Sequence, residues 1–183
     1  MGTTWRLALQ RQFGRAIDAL ETALRTCPDD LWEESLWEVK PDDAGVQPTD
    51  RGGQRVAGQT HESIQVLSAF WYLAYHSLFF LDFYLSGGTE QEGFVPPAPF
   101  SADEHDAGVL PKRMYTRAEL LTYLAHNLQK CQTTIEELQD EQVLYRWGQN
   151  DVSFVELLLV NMRHVQEHAA QLNMFLGQRV FAK

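Results

Sequence analysis

The chain has 183 residues, of which 44% are hydrophobic and 11% aromatic, a composition that predicts one globular domain over residues 1–183 and excludes intrinsic disorder. Its formal net charge of −10 argues against binding to nucleic acid, whose phosphates need Lys and Arg as partners, and against an anionic membrane surface. Cys27 and Cys131 form no C-x-x-C unit, and no apolar run is long enough to span a membrane. We therefore expect a reduced, cytoplasmic protein that binds neither nucleic acid nor membrane.

A first helix is predicted from Thr3 or Thr4, either of which can cap it, to about Thr26. Its apolar residues recur at steps of three and four and form one stripe: Trp5, Leu9, Phe13, Ile17, Leu20 and Leu24. Pro28 ends this helix, because proline disfavours the helical conformation in the residue before it. A short piece over 31–39 is expected to follow.

A second long helix is predicted from about His61 to Leu85, after a loop over 40–60 that is rich in Pro, Gly, Asp and Gln. The glycine pair 87–88 stops this helix, since glycine readily adopts the left-handed conformation of a helix end. The segment 86–115 contains several prolines and has no clear periodicity, and it is too long for a tight turn.

Two capping boxes open the third and fourth predicted helices. Thr116-Arg-Ala-Glu119 begins a helix that runs to about Gln139, and Ser153-Phe-Val-Glu156 begins one that ends near Gly177. No segment shows strand-like alternation. We therefore predict an all-α fold, a four-helix bundle of up-down-down-up topology, in which a long crossover joins helices 2 and 3 and lets them run parallel.

Three histidines are predicted to meet inside this bundle. His164 and His168 are four residues apart, so both rings project from one face of the fourth helix, about 6 Å apart along its axis. His76 lies on the inward stripe of the second helix, near its middle, and helices 2 and 4 are expected to be antiparallel neighbours. One divalent ion would satisfy all three buried imidazoles, which are costly to bury without partners. Imidazole suits zinc, nickel, iron and manganese alike.

Two other interpretations of these residues are open. An inward histidine is often a structural side chain bonded to a carbonyl or hydroxyl group. The segment 164–168 also matches H-x-x-E-H, in which Glu167 would be the general base of a zinc peptidase, although such enzymes are large and need a further carboxylate ligand. Tyr72 and Gln171 flank the histidines on their stripes and are candidates for contacts to the ligands or the substrate.

The other histidines are weaker candidates for this site. His61 precedes His76 by fifteen residues, or about 22 Å along a helix, so it cannot share the site. His105 lies in an acidic loop, and His126 fits either the core or the surface of the third helix. Asp82 follows His76 by nearly two turns and is not expected to be a ligand.

Two histidine motifs resemble those of the DinB/YfiT-like superfamily of bacterial proteins: Leu73-Ala-Tyr-His76-Ser-Leu, and Arg163-His164-Val-Gln-Glu-His168-Ala-Ala-Gln-Leu172. The opening of the third helix, Tyr115-Thr-Arg-Ala-Glu-Leu, is similar as well, and the likeness covers nearly the whole chain. This resemblance implies an up-down-down-up bundle, a divalent metal on His76, His164 and His168, and a homodimer. The family name refers to induction by DNA damage and implies no binding to DNA.

Three functions are compatible with such a site. Three neutral imidazoles leave a metal ion its full charge and an open position, which is typical of catalytic zinc. The ion could direct a low-molecular-weight thiol at an electrophile, as in the thiol-dependent transferases and isomerases of the family, or it could activate water to hydrolyse a small substrate. The third possible function is that of a non-catalytic, metal-binding stress-response protein. The loops 41–60 and 86–115 are long enough to shape a pocket, but their sequences name no substrate.

Overall fold

The computed structural model describes residues 3–38, 61–88, 94–102, 110–138, 144–147 and 150–181. Over these residues the chain is mostly helical, which confirms the predicted all-α class. The helices are α1 (Thr3–Thr26), α2 (His61–Ser68), α3 (Phe70–Leu85), α4 (Arg117–Glu137) and α5 (Phe154–Phe181). Two short strands, β1 (Leu144–Trp147) and β2 (Asn150–Ser153), precede α5. The predicted loop 40–60 lies outside the described residues, as do parts of the segment 86–115.

The first predicted helix is confirmed in its stripe and in its end. Phe13, Ile17, Leu20 and Leu24 of the stripe are completely buried, and Leu9 is nearly so. Within the short piece expected over 31–39, residues 32–38 form no helix, and residue 39 lies outside the described residues. A 3₁₀ turn forms at Asp29–Leu31 instead, and the chain then extends to pair with the region after α2.

The second predicted helix is in fact two helices, α2 and α3, which meet at Ala69. Ala69 has an extended conformation (φ −68°, ψ 147°) and forms an antiparallel bridge with Ser35. Leu36 N donates to Ser68 O at 2.9 Å, and Phe70 N donates to Glu34 O at 3.0 Å. Backbone groups of a distant segment thus replace the helical hydrogen bonds at the break, so no glycine or proline is needed there.

The predicted end of α3 and the predicted start of α4 are confirmed, whereas α5 is longer than expected. Gly87 ends the α3 region with φ 75°, and Gly88 N donates to Phe83 O at 3.0 Å, a left-handed helix end. The capping box of Thr116 and Glu119 is present in both directions. The corresponding box before α5 also forms. α5 continues past Gly177, because a glycine inside a helix costs only about 1 kcal/mol and does not force an end.

A β-hairpin occupies the connection before α5, where no strand was predicted. β1 and β2 are antiparallel, with Leu144 opposite Ser153 and Trp147 opposite Asn150. Each strand has four residues, which is too short for alternation of polar and apolar residues to be recognised.

Each of the four long helices packs against two others: α1 against α4 and α5, and α3 against α4 and α5. α3 and α5 are antiparallel, because the start of each helix contacts the region near the end of the other. The ring of Phe70, at the start of α3, lies 6.2 Å from that of Phe175, near the end of α5. At the other end, Asn161 Nδ2 donates to Leu81 O at 3.1 Å. This opposite order places the middles of α3 and α5 side by side.

α3 is the most completely buried of the long helices. Every residue of α3 except His76 is buried. The partial exposure of His76 therefore marks the place where this otherwise buried helix meets solvent.

None of the helices, over the described residues, combines the length and the apolar character that a membrane crossing requires.

Candidate metal centre

The three histidines that the sequence predicts as ligands lie together between α3 and α5. His164 Nε2 is 3.3 Å from His76 Nε2 and 3.1 Å from His168 Nε2. Each residue offers one ring nitrogen, and the three nitrogens lie within 4.8 Å of one another. All three residues are partly buried. The pair on α5 shares one helical face, and the opposite direction of α3 brings His76 to the same height.

Two of the three separations between these nitrogens fit a single metal ion. Two nitrogens that are each about 2.05 Å from zinc, at a tetrahedral angle, lie roughly 3.3 Å apart. The two short distances from His164 Nε2 match that value. Hydrogen bonding alone explains them poorly, because a ring nitrogen carries either one proton or one in-plane lone pair and therefore forms one well-aligned hydrogen bond. His164 Nε2 has two such neighbours.

The tautomer of His168 favours metal binding. Its Nδ1 donates to Gln171 Oε1 at 2.8 Å, since an amide oxygen can only accept. In the neutral ring the proton on Nδ1 leaves Nε2 with a free lone pair, directed to the centre of the group. Burial lowers the pKa of His168, although the hydrogen bond to Gln171 and the charge of Glu167 oppose this shift. As predicted, Gln171 contacts one of the three histidines, His168.

Aromatic rings line the inner side of the histidine group. The ring of Phe80 lies 4.6 Å from that of His76 and 5.6 Å from that of His164. The Tyr84 ring is 6.3 Å from His164, and the Tyr72 ring, predicted to lie beside the histidines, is 6.2 Å from His76. These rings place apolar side chains on one side of the three nitrogens.

Glu167 lies apart from the three nitrogens. Its carboxylate is 3.5 Å from Arg163 Nε, and both side chains are more than half exposed. Over the part of the chain that the structure describes, the metal-competent group consists of histidines alone. The zinc-peptidase interpretation requires a carboxylate ligand from another helix, and the group supplies His76 in that place.

A second polar cluster, which sequence reasoning missed, surrounds Asp82. This carboxylate is 1% exposed, pairs with Lys130 and accepts a hydrogen bond from Tyr123 Oη at 2.9 Å. His126 Nε2 lies 3.8 Å away, on a half-exposed side chain. As expected, Asp82 is not part of the histidine group, because it faces α4 rather than α5.

The signal for this second cluster was present in the sequence. Asp82 is the only acidic residue in the apolar run of α3, and a buried carboxylate needs a partner. Tyr123, His126 and Lys130 follow one another at steps of three and four, so they share one face of a helix. Pairing that face with Asp82 required knowledge of how α3 and α4 pack.

His105 lies outside the described residues. His61 begins α2, a separate helix before the break at Ala69. Comparison of the chain with protein-family models, with curated proteins and with solved structures finds no match.

Proposed function

We propose that this protein binds one divalent metal ion through His76, His164 and His168. The observation that carries the proposal is the convergence of three ring nitrogens from two helices at spacings that suit a tetrahedral ion. Zinc and nickel are the first choices, and iron and manganese also accept imidazole ligands.

The proposal includes a bundle of the DinB/YfiT-like kind, with up-down-down-up topology. The relative directions of the helices support this topology. Arg117 at the start of α4 donates to Cys27 O just after α1, and Arg6 at the start of α1 donates to Leu138 O just after α4. These two helices are therefore antiparallel, as are α3 and α5. Contacts between α3 and α4 follow the same chain order, which supports a parallel pair joined by a long crossover.

The proposed activity is the transfer of a low-molecular-weight thiol to a small electrophile. A divalent ion held by three neutral imidazoles supplies a Lewis acid with an open position, able to lower the pKa of a thiol or of water. Gln171 holds the ring of His168 in place, and Phe80 and Tyr84 keep water from the inner side of the site. Partial exposure of His76 leaves a path for a small molecule.

The cysteines of the chain favour an external thiol as the nucleophile. Cys27 and Cys131 are both buried, and burial raises the pKa of each thiol to about 12. Neither cysteine is therefore a thiolate at neutral pH. A thiol reaction at the metal would have to use a small molecule that enters from solvent.

The assembly and the setting of this activity are also part of the proposal. We propose a homodimer in the cytoplasm that binds neither nucleic acid nor membrane, in line with the net charge of −10. Light scattering over a wide concentration range should give twice the chain mass, and a monomer mass throughout would contradict the dimer.

Native metal analysis and a thiol-transfer screen test the function together. The protein, purified without chelator, should contain about one divalent ion per chain. With several cellular thiols and an electrophile such as 1-chloro-2,4-dinitrobenzene, turnover should require both the metal and one of the thiols. Ester hydrolysis that needs the metal but no thiol would replace the transferase with a hydrolase. Bound metal without either activity would indicate a non-catalytic protein, and absence of metal binding would refute the site itself.

A further inference from the structure

A cavity of about 630 Å³ lies beyond the C-terminal side of the histidine group on α5, and none of the three histidines lines it. Its walls come from residues 33–38, the end of α2, the start of α3 and the last turns of α5. Phe175 is seven residues after His168, or about 10 Å further along the helix axis. The volume falls within the range of sites for small molecules, which is roughly 300–1,000 Å³.

Three aromatic side chains, those of Trp37, Trp71 and Phe175, contribute to the cavity wall beside polar residues. Trp71 and Phe175 are buried and belong to the core, whereas Trp37 is 48% exposed. Val66 and Ala69 add further apolar surface. A half-exposed tryptophan beside an open cavity keeps one face available to a ligand, and an indole ring is the best aromatic partner for a cation.

The rim of the cavity is negatively charged. It carries Glu33, Glu34 and Glu38 against a single cationic side chain, Arg179. Arg179 lies close to two of the other lining residues: its Nη2 is 4.0 Å from Glu34 Oε2, and its guanidinium carbon is 5.3 Å from the ring centre of Phe175. Among the described residues, no cationic side chain forms an ion pair with Glu33 or Glu38. In the protein itself, the guanidinium group of Arg179 thus lies between the aromatic ring of Phe175 and the carboxylate of Glu34.

We propose that this cavity binds a small organic ammonium ion with an aromatic or branched alkyl body. The apolar body would occupy the space beside Trp37, Trp71 and Phe175. The ammonium group would lie at the rim, where the carboxylates of Glu33 and Glu38 are available. An anionic ligand is disfavoured, because three carboxylates line the cavity against a single guanidinium, that of Arg179. The site is separate from the histidine group and requires no metal.

Isothermal titration calorimetry with three matched probes tests this proposal on metal-free, full-length protein. The probes are 2-phenylethylammonium, 2-phenylethanol and 3-phenylpropionate, which share an aromatic body and carry a positive, a neutral and a negative head. We expect the ammonium probe to bind at least about tenfold more tightly than either of the others, and this preference should weaken as salt is raised. Equal or tighter binding of the propionate, or no binding of any probe, would overturn the proposal.

Variants locate the binding within the cavity. Trp37→Ala and Glu38→Gln should each weaken binding of the ammonium probe by about fivefold or more, and both side chains are exposed enough for the fold to tolerate the change. Arg179→Gln removes the competing cation and should strengthen binding. Glu136→Gln, an exposed carboxylate on α4, is the matched control and should leave the affinity unchanged. Binding that is unaltered by both Trp37→Ala and Glu38→Gln would place the probe elsewhere and refute the site.

Discussion

His168 and Gln171 form a hydrogen bond of 2.8 Å on α5, from the imidazole Nδ1 to the amide Oε1. This contact holds the ring in one orientation and, in the neutral state, keeps the proton away from Nε2, the nitrogen that lies 3.1 Å from His164 Nε2. Gln171 itself is exposed, so it contributes little to the core. Its structural role is therefore to position one ligand of the proposed metal site.

Gln171→Ala should weaken metal binding by roughly 10–100-fold, because the ring of His168 loses the partner that sets its tautomer and orientation. The free energy of unfolding of the metal-free protein should change little. Competition titration against a chromophoric chelator measures the metal affinity. Gln166→Ala, at another exposed position of α5, is the control. An unchanged affinity in Gln171→Ala would show that this hydrogen bond does not support the site.

His76→Ala should abolish stoichiometric metal binding while the helical circular dichroism spectrum is retained, because the helix packing around the site is otherwise unchanged. His164→Ala and His168→Ala should behave in the same way. His61→Ala, His105→Ala and His126→Ala should keep the metal. Metal content per chain is read by elemental analysis after purification without chelator. A His76→Ala protein that retained a full equivalent of tightly bound ion would refute the three-histidine site.

Metal affinity should fall as the pH is lowered from about 7.5 to about 5.5, because imidazole ligands must be unprotonated to bind and their ordinary pKa is about 6.5. Burial lowers the pKa of His168, so this ligand stays neutral to a lower pH than an exposed histidine. A lowered folded-state pKa also means that the unfolded chain binds the proton more readily. The stability that His168 contributes is therefore present above about pH 6.5 and is lost as the pH falls.

Metal titrations at a series of pH values measure how the metal affinity depends on pH. Urea unfolding of the metal-free protein at the same pH values measures the loss of stability that is due to His168. An affinity that stayed constant, or rose, toward acidic pH would exclude neutral imidazoles as the ligands.

Lys130→Met should lower the free energy of unfolding by roughly 2–4 kcal/mol, because it leaves the buried carboxylate of Asp82 without its cationic partner. The loss should lie at the lower side of the range for buried pairs, since the Lys130 side chain is 29% exposed. Urea unfolding measures the change. The double variant Asp82→Leu with Lys130→Met should recover much of the loss, as it removes both charges. Metal content should be unaffected, because Asp82 is not in the histidine group.

Equal stability of Lys130→Met and the wild-type protein would show that the buried carboxylate of Asp82 does not depend on Lys130. Exposed Lys112→Met is the matched control, because it removes a lysine that forms no ion pair with a described residue. It should change the free energy of unfolding by no more than about 0.5 kcal/mol.

The sequence alone determined the features that depend on local chemistry. The stripe that contains Phe13 and Leu20 predicted α1, because helical periodicity places these side chains on one buried face. The capping boxes at Thr116 and Ser153 marked the starts of α4 and α5, since a cap is a set of contacts within four residues. The spacing of His164 and His168 likewise predicted two imidazoles on one helical face. The grouping with His76 needed one further assumption, the direction of packing between two helices.

Only the tertiary structure decided the features that depend on contacts between distant segments. The break at Ala69 arises because the backbone of residues 34–36 supplies hydrogen bonds to residues 68–70, which no local pattern records. The pairing of Asp82 with Lys130 depends on the register of α3 against α4. The cavity beside Trp37 needs three separate segments to meet around an empty space. Periodicity reveals which face of a helix is buried, but not which partner covers it, because many partners bury the same apolar face equally well.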